Sequence, residues 1–199
     1  MKLLILLVFI SLSSFAQTGG TKKNGFYLSF AGKGLLGTSG SKDTSVAKTR
    51  DQYVYGAETI LGYHFGPFLV GGSAEYNVWK QKTDPSSVND TNMSGTQVNL
   101  APVFGLSLGR VLLIGKMVMS STMTLDKKNS NGDKTIYSNP STSSYVAQLN
   151  FKLGGHSYLG VEYNNVVYGK SKVQDTTTKL SSDKKITYGA WGLVYGFSF

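Results

Sequence analysis

The 199 residues contain no cysteine. The fold therefore owes nothing to disulfides, and no thiolate site can hold a metal. Proline is scarce, four residues against 24 glycines, a balance that suits strands and tight turns better than a helical bundle. Histidine occurs only as His64 and His156, which leaves little for imidazole chemistry. Nowhere beyond the first residues is there anything near the 18 consecutive apolar side chains that a spanning helix needs. A chain with these shortages that crosses a bilayer must do so as a closed barrel, because hydrocarbon cannot satisfy an open sheet edge.

What is present begins with a processing signal. Lys2 supplies a positive start, Leu3 to Ile10 an apolar run, and Ser14-Phe15-Ala16 a small-x-small cleavage site. The run is too short to cross ~30 Å of hydrocarbon as a helix. Residues 1–16 are therefore expected to be a removed signal peptide, 17–24 a short N-terminal segment, and 25–199 one domain. The formal charge is +9. No helix-turn-helix, zinc or RNA-binding signature accompanies it on this exported chain, which argues against nucleic acid and for a polyanionic lipid surface as partner.

From Gly25 onward, apolar and polar residues alternate in eight stretches: 25–37, 52–65, 68–81, 95–108, 110–125, 144–154, 157–169 and 186–199. Phe68, Val70, Ala74, Tyr76 and Val78 oppose Leu69, Ser73, Glu75, Asn77 and Trp79; Trp191, Leu193, Tyr195, Phe197 and Phe199 oppose Ala190, Gly192, Val194, Gly196 and Ser198. Period two over such lengths means strands with two different environments. The second, fourth and sixth stretches are followed by tight connections at Gly66-Pro67, Gly109-Arg110 and Gly154-Gly155-His156. Connections 38–51, 82–94, 126–143 and 170–185 are long and polar. Long loops at one end and short turns at the other predict an all-β, eight-stranded antiparallel up-and-down transmembrane β-barrel with its short turns periplasmic. A soluble barrel carrier would share the period, but the export signal and the loop asymmetry favour the membrane. Two places resist the pattern. Pro102 falls mid-strand, where a local bulge is the expected accommodation. Tyr163 and Tyr168 cannot both face lipid in a regular strand, which leaves the seventh register open.

The phases aim Lys33, Glu58, Glu75, Lys116, Lys152 and Glu162 into the lumen. Six buried charges must pair or hold water. They read either as a salt-bridge plug or as a polar passage for small solutes, and the narrowness of eight strands favours the plug. Outward aromatics form two bands: Phe26, Tyr63, Phe65, Phe68, Tyr195, Phe197 and Phe199 toward the turns, and Tyr53, Tyr55, Tyr76 and Tyr145 toward the loops, as a barrel held at fixed depth requires. The long loops, counted with the adjoining Lys80, carry thirteen Lys or Arg against eight acids. Lys48, Arg50, Lys127, Lys128, Lys184 and Lys185 are among those suited to lipopolysaccharide phosphates, although ordinary solvated charge is an equal reading. Catalysis is not expected: both histidines lie by the short turns, and Ser157, adjacent to His156, points to the opposite face of its strand.

On the strand number, the loop alternation and the final aromatic row, the chain resembles the small eight-stranded outer-membrane barrels that include the OmpA transmembrane domain and OmpX. The resemblance implies a monomer in the bacterial outer membrane with a filled interior and no cofactor. Its roles would be in surface interaction, membrane integrity or stress defence. It also implies that Tyr195, Phe197 and Phe199 are an insertion signal read by the barrel-assembly machinery. A narrow solute channel and a lipid A-modifying enzyme stand as alternatives.

Overall fold

The computed structural model describes residues 24–41, 50–81, 94–126, 134–173, 176–182 and 184–199. The expected signal peptide, residues 17–23 and the loop lysines Lys48, Lys127 and Lys128 lie outside these. The described residues hold eleven strands: β1 (Asn24–Ser41), β2 (Arg50–Phe65), β3 (Phe68–Gln81), β4 (Ser94–Leu108), β5 (Val111–Met117), β6 (Ser120–Asp126), β7 (Lys134–Pro140), β8 (Tyr145–Gly154), β9 (Ser157–Val173), β10 (Thr176–Lys179) and β11 (Ile186–Ser198). They form eight staves, since β5 continues into β6, β7 into β8 and β10 into β11. Every pairing is antiparallel, and β1 against β11 closes the ring. Among the described residues no helix is long and apolar enough to cross a membrane.

The tight turns arise where glycine leads. Phe65 pairs with Phe68 around Gly66-Pro67, Leu108 with Val111 around Gly109-Arg110, and Gly154 with Ser157 around Gly155-His156. Gly66, Gly109 and Gly155 have φ of 60°, 63° and 54°. A positive φ at the first of two turn residues is what the primed hairpin turns demand, and their twist matches that of the strands they join.

At the other end the strands run further than the alternation suggests. Residues 38–41, 134–140, 170–173 and 176–179, expected as loop, are strand. Their Thr, Ser and Lys carry no apolar alternation, yet Thr135, Ile136, Tyr137 and the Thr176–Thr178 run favour extended backbone. At 3.3 Å per residue the 17 residues of β9 extend to about 56 Å, well past a hydrocarbon core even when tilted.

Pro102 is accommodated by a bulge on its neighbour. Val103 pairs with Lys116 and Leu100 with Ser120, so Ala101 and Pro102 face three residues, Met117, Val118 and Met119. The extra residue falls opposite the one residue with no N–H to give. The freed groups are satisfied locally: Met119 N–H donates to Leu100 O at 3.1 Å and Val118 N–H to Ser144 O at 3.0 Å. The break between β7 and β8 is patched by a side chain, with Val167 N–H donating to Ser144 Oγ at 2.9 Å. The seventh register is regular through the bilayer-length part of β9: Tyr158, Glu162, Asn164, Val166 and Tyr168 are buried, while Tyr163 faces out.

The inward residues form three layers. Toward the turns lie Tyr27, Ile60, Leu69, Val103, Leu112 and Ile114. Toward the loops lies a larger apolar group that includes Leu35, Val54, Trp79, Val118, Met123, Val146, Val166, Tyr168 and Tyr188. The ionisable residues lie between. Outside, the turn-side aromatics pack on one another (Phe26 and Tyr63 at 5.5 Å, Tyr63 and Phe65 at 4.8 Å, Tyr195 and Phe197 at 5.5 Å). Tyr163, 6.0 Å from Tyr145, joins the loop-side band.

Interior glycines admit neighbouring side chains. A Cβ on Gly95 would meet Trp79 Cζ2 at 2.6 Å, whereas one on Gly34 meets nothing within 4 Å. Gly95→Ala should therefore cost about 2 kcal/mol by overpacking, while Gly34→Ala stays within about 0.5 kcal/mol of wild type. Urea unfolding in detergent micelles measures both.

Candidate functional site

Five of the six predicted lumen charges meet. Lys33 on β1, Glu58 on β2 and Glu75 on β3 stand on neighbouring strands, Lys116 on β5 and Glu162 on β9 on more distant ones, and all lie on the inward phase at one height. Pairing places Glu58 opposite Glu75, an unfavourable like-charge pair that the lysines resolve. Lys33 Nζ lies 2.8 Å from Glu162 Oε1, 3.0 Å from Glu75 Oε2 and 3.6 Å from Glu58 Oε2. Lys116 Nζ lies 2.6 Å from Glu58 Oε2, 2.9 Å from Glu75 Oε1 and 3.3 Å from Glu162 Oε2. Each ammonium thus touches all three carboxylates, forming a cage whose side chains are at most 2% exposed.

Lys152 does not join the cage. It shares the inward phase of β8 with Gln148 and Asn150, but stands at the turn end of the stave and is exposed. Parity set its face correctly; its height placed it at the barrel mouth, where an ammonium reaches water instead of a carboxylate.

On the loop side the cage is extended by direct side-chain hydrogen bonds that parity alone did not single out. Asn99 Nδ2 donates to Glu75 Oε2 at 3.1 Å and Ser121 Oγ donates to Asn99 Oδ1 at 2.6 Å. Tyr168 Oη lies 2.8 Å from Ser121 Oγ and accepts from Gln97 Nε2 at 2.7 Å. Gln97 Oε1 in turn accepts from Asn77 Nδ2 at 3.0 Å. The signal was present in the chain, since these residues alternate with outward apolar ones, but which polar groups meet depends on the bulge and on the β9 register. The turn side is different: Tyr27, Ser29, Gln148, Asn150 and Tyr158 are buried, with side-chain polar atoms that lack a direct protein partner.

The other predicted sites are simply placed. Tyr195, Phe197 and Phe199 share the outer face of the closing stave, which is zipped to β1 as far as Phe199 N–H donating to Leu28 O at 2.8 Å. Arg50 opens β2. Lys184 is exposed and Lys185 partly so. His156 stacks on Phe199 at 5.0 Å with Nδ1 2.9 Å from Ser198 O, and His64 lies edge-on to Tyr27 at 5.3 Å. Ser157 Oγ donates to Gly154 O within its turn at 3.0 Å.

A closed eight-stranded antiparallel barrel, with two-residue turns at one end, an apolar outer belt and a charged, filled interior, has the fold of the small outer-membrane β-barrels. No protein-family model matches the chain, and no curated protein does. Among solved structures it is similar to Ail, the attachment invasion locus protein of Yersinia pestis, determined in complex with the heparin analogue sucrose octasulfate. The TM-score is 0.54 at 17% identity, over 87% of this chain and 99% of that one. It is likewise similar to Neisserial surface protein A, NspA, with a TM-score of 0.54 at 13% identity over 88% of this chain and 99% of the other. At these identities the likeness is one of fold.

The cage predicts unequal costs for its members. Lys116→Met leaves three buried carboxylates on one ammonium and should cost about 3–5 kcal/mol. Both Glu75 oxygens accept hydrogen bonds, Oε1 from Lys116 and Oε2 from Asn99, so Glu75→Gln must turn an amide N–H toward a donor and should cost about 1–3 kcal/mol. Loss of the compact, unboiled gel band at lower temperature reports both; unchanged heat resistance would remove the cage from any role in stability.

Proposed function

We propose that this chain is an outer-membrane barrel with a plugged lumen, whose work is structural and surface-facing rather than catalytic or conductive. The observation that carries the reading is the cage: five charges with side chains no more than 2% exposed, capped by an apolar layer on each side. An ion crossing the barrel would have to break six ion-pair contacts in a low-dielectric interior and pass Leu69 and Ile60 below and Trp79 and Tyr188 above. That arrangement suits a stopper.

Under this reading the active surface is the loop end. Lys184 and Lys185, with Lys170 and Lys179 paired directly across β9 and β10, present cations above the loop-side aromatics, where lipopolysaccharide phosphates and acidic sugars would meet them. Like charges opposite one another on a strand pair are unfavourable on their own and are relieved by a shared anion. The outward row Tyr195, Phe197 and Phe199 would serve the barrel-assembly machinery during insertion and the periplasmic aromatic girdle afterwards. The protein acts as a monomer.

One observation favours a second reading. The polar atoms of Gln148, Asn150 and Asn164 are buried without protein partners, as the lining of a narrow polar passage would be. Planar-bilayer recording separates the two: the plug predicts silence, and steady unitary currents would replace it with the channel. Membrane placement has its own check. The protein should fractionate with outer membranes and migrate faster unboiled than boiled; a soluble band without a shift overturns it.

A further inference from the structure

The cage does not balance. Three carboxylates face two ammonium groups, which leaves one negative charge at the most secluded point of the barrel. Removing such a charge from water without a counter-charge costs several kcal/mol, so one positive charge is missing from the account of side chains.

The place where it is missing can be read from the hydrogen bonds. Glu75 and Glu162 use both oxygens: Glu75 Oε1 and Oε2 face Lys116 and Lys33, and Glu162 Oε2 and Oε1 do the same. Glu58 meets both lysines through Oε2 alone, and its buried Oε1 has no partner. Three more buried oxygens without direct partners belong to the same corner: Ser29 Oγ, Tyr27 Oη and Tyr158 Oη. Ala31 pairs with Glu58 and Ser29 with Ile60, so Ser29 is the next inward residue from Glu58 across the β1–β2 ladder. Tyr158 reaches over Gly196, where a Cβ would sit 2.7 Å from its hydroxyl, to pack on Ala31. Tyr27 is the next inward residue beyond Ser29 on β1, and both tyrosine hydroxyls lie beside Ser29 and within range of the Glu58 charge.

We infer that this corner is a binding site for one small monovalent cation, sodium or potassium, held by Glu58 Oε1 with Ser29 Oγ and the Tyr27 and Tyr158 hydroxyls. The donor set is all oxygen, as hard cations require. A single charge brings the cage to neutrality, whereas a divalent ion would leave it positive and demand more ligands. The three carboxylates each offer an oxygen within 4.8 Å of the others, so the cation shares the lysines' anionic pocket and completes it. This inference concerns the interior alone and stands whether or not the loops bind lipopolysaccharide.

The test refolds the purified protein from urea into detergent micelles in sodium, potassium or choline chloride at matched ionic strength and pH. Choline is too bulky to enter a barrel filled with side chains. The temperature at which the compact band is lost should be higher by about 5 °C in sodium or potassium than in choline. Glu58→Gln removes the excess charge while keeping an acceptor for Lys116, so its melting should be the same in all three salts. Ser29→Ala keeps the charge but loses a ligand, and should raise the half-saturating sodium or potassium concentration by about tenfold. Equal melting of the wild type in the three salts overturns the site. So does stabilisation that follows pH alone, which would assign the missing charge to a proton. Should Glu58→Gln fail to refold, rubidium-soaked crystals of the wild type decide: an anomalous peak beside Glu58 supports the site, and its absence there overturns it.

Discussion

Hydrocarbon offers a peptide group nothing to bond to, and the rest of this structure follows from that constraint. Every N–H and C=O at membrane depth must find another strand, so the sheet returns to its own first strand and has no edge. Eight strands make the smallest common ring of this kind, and its bore is about the width of the side chains that fill it. Inward residues therefore cannot avoid one another. Lys33, Glu58, Glu75, Lys116 and Glu162 come from five different staves: the first three stand on adjacent ones, and the curl of the sheet into a ring brings Lys116 and Glu162 to them.

The layers around the cage decide how strongly those charges act. With apolar residues above and below, the local dielectric is low, which strengthens each ammonium–carboxylate contact and penalises each polar atom left alone. The interior answers this penalty differently on its two sides. Toward the loops, Asn99, Ser121, Tyr168, Gln97 and Asn77 bond one another in a continuous chain. Toward the turns, Ser29, Tyr27 and Tyr158 bring oxygens to Glu58 without bonding directly. A single barrel thus combines a half in which a run of side chains bond one another, beside the lone polar atoms of Trp79 and Tyr188, with a half that has donors and acceptors in reserve.

Most of the fold was legible in the chain because the determining signals are local. Period-two alternation assigned the faces of Glu75, Trp79 and Tyr195, and a glycine at the head of each short connection marked the turns. What escaped depended on neighbours. The extra residue near Val118 is invisible without knowing that it faces Pro102. Tyr168 was ambiguous because an inward tyrosine reads as apolar until its hydroxyl meets Gln97 and Ser121. Lys152 had the right parity and the wrong height, and height along the bore is set by stagger between strands, which no single strand encodes. The collar of strand beyond the membrane was hidden by its polar composition. The imbalance at Glu58 was partly present in the sequence, since three acids were counted; only the exit of Lys152 from the group made the count uneven.

The seam between β1 and β11 has a consequence for the order of events during assembly. Adjacent staves are joined by local hairpins, and three of these have two-residue turns that can form early and cheaply. The seam instead pairs Ser29 with Ser198, near-opposite ends of the domain, and long loop closures of this kind form late. Lys33 lies on one side of that seam and Glu162 on the other, one stave beyond β11. Their 2.8 Å contact therefore forms only when the ring shuts. The cage works as a latch set by the last step: a half-assembled sheet carries unmatched charges on its inner face and keeps them in water, and the finished cylinder alone can take them out of it.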